Sequence, residues 1–69
     1  MTIEDFRRDL GWSQNELARH ARINANTVRR AENGEPVASQ TATAIAEAFS
    51  EAFGRRILVR DIDGLNVAL

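Results

Sequence analysis

WSQNELARHARINANTVRRAENG, residues 12–34, decides how this chain is read. Ser13-x-x-Glu16 is a capping box, in which each residue's side chain satisfies the other's backbone N–H at a helix start. The helix it opens is short, with Leu17, Ala18 and Ala21 on its inner face. Asn24 is a second N-cap, and the spacing predicts another helix from Ala25 to about Asn33, with Val28 and Ala31 facing inward. Gly34 ends that helix and Pro36 prevents its continuation. One feature of the stretch has no structural use. The chain has no lysine and a formal charge of −1, yet it sets two adjacent arginines, Arg29 and Arg30, on the polar side of a short helix.

The flanks read as further helices. Upstream, Ile3, Phe6 and Leu10 form one helical face, with Thr2 as cap and Gly11 as stop. Downstream, Ser39 or Thr41 opens a fourth helix with an apolar stripe at 42, 45, 46, 49, 52 and 53, closed by Gly54. The tail RRILVRDIDGLNVAL (55–69) reads as a short extended piece around Ile57 and Val59, or as a helical turn with Val59, Ile62 and Leu65. A fifth short helix near 59–63 is the favoured reading. The fold class is all-α, a compact bundle of four to five short helices, and 69 residues make one domain, 1–69. No internal repeat or low-complexity segment interrupts it.

Composition narrows the function. No cysteine is present, which excludes a disulfide framework and thiol catalysis and suits a reducing cytosol. The N-terminal MTIEDFRRDL has acids and no long apolar run, so it does not read as a signal peptide, and no segment reaches membrane-span length. The expectation is a soluble, cytoplasmic protein that needs no cofactor. His20 is the only histidine, with no metal-ligand spacing around it, and no Gly-rich phosphate loop occurs, so catalysis and a metal centre are not expected. A sequence pI of about 5.7 runs against a strongly basic nucleic-acid binder. Charge placement matters more than its sum. Residues 1–34 hold six arginines and five acids, whereas residues 35–69 hold three arginines and five acids. The first half is the anion-facing side.

The two helices of the opening stretch are joined by HARIN (20–24). Ala18 lets the backbones approach at a steep crossing and Val28 fills the wedge, which is the helix-turn-helix arrangement. On the second of them Asn26, Arg29, Arg30 and Asn33 fall at i, i+3, i+4 and i+7, one polar face opposite Val28 and Ala31. Such a helix enters the major groove, where asparagine suits adenine and arginine suits guanine. Adjacent cations without an acid at i−4 are poorly explained as ion-pair partners. Gln14 begins the preceding helix, where free backbone N–H groups and the helix dipole favour an anion, so Ser13 and Gln14 are expected to hold a phosphate. Thr27 is a further phosphate candidate. Asn33 either contacts a phosphate or simply ends its helix. Trp12 reads as a core anchor over the first helix, and His20 as a residue on the exposed side of its helix.

LGWSQNELARHARINANTVRRAENG (10–34) resembles the Xre/Cro/phage-repressor type of helix-turn-helix family, with its Leu-Gly-x-Ser-Gln-x-Glu-Leu-Ala opening and Glu-Asn-Gly close, and the tail GRRILVRDIDGL resembles the end of small stand-alone members. The resemblance covers roughly residues 2–65. It implies a λ-repressor-like DNA-binding domain with the helix-turn-helix at about 13–33 and a C-terminal helix and tail at 39–69. By the same resemblance, positions 25, 26 and 30 are base-reading positions. This makes Asn26 and Arg30 the base contacts, with Ala25 able only to touch a thymine methyl and Arg29 reading a base or holding a phosphate. The resemblance also pairs Arg7 with Glu32 as a structural salt bridge. One departure stands out: Arg22 occupies the turn where the family usually has glycine, so the turn is either strained by a positive φ or differently shaped.

The implied function is a sequence-specific transcriptional regulator, a repressor in the first reading, binding double-stranded palindromic DNA as a homodimer. The expected dimer surface is residues 53–67, through Phe53, Ile57, Leu58, Val59, Ile62, Leu65 and Val67. The alternative is that Ile57, Ile62 and Leu65 close the monomer core. Two other functions use the same fold. An antitoxin that regulates its own operon adds a toxin-binding face, and a protein-interaction module has lost DNA binding, a reading supported by the acidic pI and Ala25. Salt separates the DNA and protein classes, because phosphate contacts release counterions.

Overall fold

The computed structural model describes residues 1–68. Four α-helices follow one another: α1 (Ile3–Leu10), α2 (Gln14–Ala21), α3 (Ala25–Glu32) and α4 (Ser39–Phe53), with a 3-10 turn at Val59–Asp61. Among the described residues there is no strand, only two isolated parallel bridges, Thr2 with Asp63 and Val37 with Val67. The class is all-helical, as the periodicity requires.

The caps are largely local chemistry. The Thr2 hydroxyl accepts from the Asp5 N–H at 3.1 Å, and Asp5 Oδ2 accepts from the Thr2 N–H at 2.9 Å. Ser13 and Glu16 make the same reciprocal pair at the start of α2. Asn24 Oδ1 accepts from the Asn26 N–H at 2.7 Å at the start of α3. Gly11 and Gly54 close α1 and α4 in the left-handed region at φ 70° and 68°. The equivalent place after α2 belongs to Arg22, at φ 59° and ψ 44°. The turn therefore keeps the glycine geometry with an arginine in it. The left-handed backbone costs a residue with a Cβ about 1–2 kcal/mol, and the Ala18 and Arg19 carbonyls that accept from the Arg22 N–H offset part of this.

α4 begins at Ser39, one of the two residues expected to open it, but without a side-chain cap. Its N-cap is Ala38, with no side-chain hydrogen bond, and Ser39 is already helical. The chain enters in extended backbone fixed from outside, since the Val37 N–H donates to the Asn66 carbonyl at 2.9 Å and the Ala68 N–H to the Val37 carbonyl at 2.8 Å. A cap residue is not what starts this helix. α3 ends at Glu32 rather than Asn33, with Asn33 as its cap and Gly34 at φ 81° after it.

The core joins all elements: Ile3 and Phe6 from α1, Leu17, Ala18 and Ala21 from α2, Val28 and Ala31 from α3, Ile45, Ala46 and Phe49 from α4. Phe49 sits at its centre, 5.1 Å from the Phe6 ring and 6.2 Å from that of Trp12. Ala18, one of the small residues at the α2–α3 crossing, is buried, and so is Val28. Trp12 is half-buried, and its ring is stacked face to face on His20 of α2 at 4.1 Å and lies 6.2 Å from that of Phe49 on α4. His20 is exposed, as expected, yet this stack gives it a partner.

The tail keeps only the core of its expected short helix and matches the alternative of a single helical turn. In place of a helix over 59–63 there is a single 3-10 turn, closed by Asp61 Oδ2 accepting from the Leu58 N–H at 2.9 Å. Ile57 and Ile62 are core residues, each 3% exposed. Ser50 Oγ accepts from the Ile57 N–H at 2.8 Å and donates to the Ala46 carbonyl at 2.8 Å, which draws Ile57 against α4. These two isoleucines therefore close the monomer and are removed from the expected dimer surface. Phe53, Val59, Leu65 and Val67 pack on the core while remaining half-exposed, and Leu58 is also half-exposed. No helix among the described residues is long and apolar enough to cross a membrane.

Candidate nucleic-acid interface

The site is built on Glu32, the last residue of α3. Arg7 grips its carboxylate with two N–H donors, Nε to Oε2 at 2.8 Å and Nη2 to Oε1 at 3.2 Å. A third arginine donor, Nη1, reaches the Trp12 carbonyl at 3.0 Å. Gln14 Nε2 donates to Glu32 Oε1 at 3.2 Å. Arg7 and Glu32 together thus tie α1, the α1–α2 loop, the first residue of α2 and the end of α3. The side chains of the ion pair are 14% and 10% exposed. At that burial the pair is weakly screened, and loss of either partner strands a charge. The Gln14 link is absent from the sequence reading, and no spacing rule connects positions 14 and 32.

This clamp sets the N-terminus of α2 beside α3. Of the first backbone donors there, the Ser13 and Glu16 N–H groups are taken by the capping box. The Gln14 and Asn15 N–H groups precede the first intrahelical bond and point out of the helix end. Gln14 Nε2 has a second hydrogen beyond the one Glu32 takes. The Glu16 carboxyl is held below its ordinary value, first by the backbone N–H of Ser13, then by the Ser13 hydroxyl, with Arg19 and His20 adding smaller electrostatic help. The end of α2 thus offers several donors to an anion, opposed by one carboxylate committed to the cap.

The exposed side of α3 carries the other candidates. Asn26, Arg29 and Arg30 are all exposed, Thr27 and Ala25 are half-buried, and Ala25 leans on the core. Arg29 Nη1 donates to Asn26 Oδ1 at 3.1 Å. Arg30 does find an acid, contrary to the sequence reading: its Nε approaches Glu35 Oε1 at 3.4 Å across the end of the helix. Both partners are well exposed, so the pair is worth about 0–1 kcal/mol. A bidentate arginine contact to guanine discriminates by about 1–3 kcal/mol, and Glu35 does not compete with it. Asn33 stands apart from the others. It lines a shallow groove with Glu4, Glu32 and Asp63, which are ion-paired with Arg8, Arg7 and the N-terminal amine. The structure thus brings Ser13 and Gln14 to one end of α2 and Asn26, Arg29 and Arg30 to one side of α3, and sets Asn33 among acids.

Among the described residues no group of His, Asp and Glu is arranged to hold a metal ion. A family model described as helix-turn-helix matches residues 3–54, three quarters of the chain, so the tail from residue 55 lies outside the match. No curated protein and no solved structure matches the chain.

Proposed function

The chain belongs to the Cro/Xre-type helix-turn-helix family, whose members are DNA-binding regulators, and from that premise we propose that it is a sequence-specific repressor that acts as a dimer on a palindromic operator in the cytoplasm. The observation that carries the reading is the Glu32 clamp. It fixes the anion-binding end of α2 relative to the exposed face of α3, and a protein that reads bases while holding a phosphate needs that relation rigid. In this reading α3 lies in the major groove. Asn26 and Arg30 face base edges, Arg29 stands beside them, and the Ala25 methyl is close enough to the helix start to touch a thymine. Ser13 and Gln14 hold one phosphate, with Thr27 as an additional contact. Asn33 serves as the helix cap.

Dimerisation follows from size. α3 has 8 residues, about 12 Å of helix, which spans roughly three to four base pairs. Such a readout is too short for useful specificity among genomic sites, and closed two-fold pairing doubles it. Apolar surface suited to pairing includes the groove lined by Glu47, Arg56, Leu58 and Val59. Its opposite charges suit a self-complementary contact.

The experiment is selection of bound sites from random duplexes, followed by titrations at several salt concentrations. The expected site is a palindrome with half-sites about one helical turn apart, and affinity should fall steeply with salt. Arg30→Ala should relax preference at one base pair per half-site, whereas Gln14→Ala should weaken all duplexes by a similar factor. Salt-insensitive binding to a protein and no selected duplex would replace this reading with the interaction module.

A further inference from the structure

Five of the described residues have a positive φ. Four are Gly11, Gly34, Gly54 and Gly64, and the fifth is Arg22, in the turn between α2 and α3. Glycine takes this conformation without strain, and a residue with a Cβ does not. Helix termination does not explain the arginine. A cation at the end of α2 suits the helix dipole, but Arg19 and His20 already occupy the last turn. Arg22 is exposed, and its guanidinium makes no ion pair among the described residues. A strained residue with no partner inside the molecule points to a use outside it.

The place of Arg22 in the turn gives that use. The turn is pinned on both sides: the Arg22 N–H donates to the Ala18 and Arg19 carbonyls, the Ile23 N–H donates to the Ala18 carbonyl at 2.9 Å, and Asn24 caps α3. Arg22 comes three residues before Ala25, so the two Cα atoms are at most about 11 Å apart. A recognition helix enters the major groove by its N-terminal end, and that groove is about 12 Å wide between walls of phosphate. We propose that Arg22 is a DNA backbone contact, a cation held at the rim of the major groove that binds one phosphate in each half-site. The proposal rests on the DNA-binding reading of α3 and adds a second anchor to it. α2 has 8 residues, about 12 Å of helix, so this phosphate is not the one assigned to Ser13 and Gln14. The backbone is then gripped at both ends of α2.

The test uses the palindrome selected by the wild-type protein and three forms of the full chain: wild type, Arg22→Gly and Arg22→Lys. Arg22→Gly should melt at or above the wild-type temperature, because glycine removes the left-handed strain, so weaker binding is not weaker folding. For each subunit bound, it should lose roughly eightfold in affinity at about 0.1 M salt, by a similar factor on all duplexes, and the slope of log affinity against log salt should fall by about 0.9. Arg22→Lys should keep the wild-type slope. Single methylphosphonate substitutions then locate the contact: neutralising one phosphate in each half-site should weaken the wild-type protein and leave Arg22→Gly unaffected. An unchanged slope in Arg22→Gly, the same loss in Arg22→Lys, or sensitivity of wild type and Arg22→Gly to the same set of phosphates would each overturn the proposal while leaving DNA binding intact. Failure of the wild-type protein to select any duplex would overturn the DNA-binding reading and this inference with it.

Discussion

Glu32 accepts three hydrogen bonds from two side chains that start on different helices. Its pairing with Arg7 is expected from the family resemblance, but its role as the joint between α2 and α3 is visible only in three dimensions. Removing one partner strands the other at 10–14% exposure, which costs up to about 3 kcal/mol. A domain of this length has only roughly 3–10 kcal/mol in all. Glu32→Gln and Arg7→Met should therefore each lower the melting temperature by ten degrees or so, and the double variant should lose less than the sum. Calorimetry on the four proteins of the cycle checks this, and strict additivity would show that the two groups do not interact. The Asn26–Arg29 contact is of another kind. Its i, i+3 spacing was legible in the sequence, but reading the two residues as separate contacts hid it. The Arg30–Glu35 pair crosses a helix end, where helical spacing no longer predicts neighbours.

The helices themselves are the most legible part of the molecule, because their signals are local. Thr2, Ser13 and Asn24 cap as expected, and Gly11 and Gly54 terminate as expected. The capping box of α2 also has a pH signature. Glu16 titrates below its ordinary value of 4.5 in the folded protein, chiefly because the Ser13 backbone N–H binds the carboxylate. A depressed folded value gives stability that is fully present above the unfolded value and is lost as pH falls through the folded one. Melting temperature should thus decline from about pH 4.5 downward. Glu16→Gln keeps a side-chain acceptor without titrating, so its decline should be shallower. Identical pH profiles for the two proteins would remove Glu16 from the account. α4 opens at Ser39, one of the two expected residues, but its cap position is not set locally: the preceding Val37 is held by backbone bonds with Asn66 and Ala68, and no local signal at 38–41 carries that information.

At the level of the whole chain, the tail divides between core and surface. Burial of Ile57 and Ile62 closes the monomer, and Leu58 and Val59 beside Glu47 and Arg56 are the surface proposed for a second copy. Sedimentation with and without a palindromic duplex checks the pairing. The wild-type protein should bind a full site as two copies, cooperatively. Leu58→Asp places a charge in the groove and should bind half-sites singly, with affinity for a full site reduced about tenfold or more. A folded Leu58→Asp protein that still binds cooperatively would move the dimer surface elsewhere. Val67 is a poorer probe, because its segment is bridged to Val37 and a substitution there strikes the fold.

The order and class of the helices, and most of their ends, follow from the sequence alone, because caps, left-handed stops and a 3.6-residue apolar period are properties of neighbouring residues. The face of α3 that carries Asn26, Arg29 and Arg30 follows from it too, for the same reason. Tertiary structure decided the rest. It put Gln14 on Glu32, held Arg22 in a glycine conformation, started α4 without a cap, and sent Ile57 and Ile62 inward. Each of these depends on groups far apart in the chain or on competition for one buried place. Such competition is settled by which apolar side chains the finished core can cover, and periodicity within a single segment cannot report it.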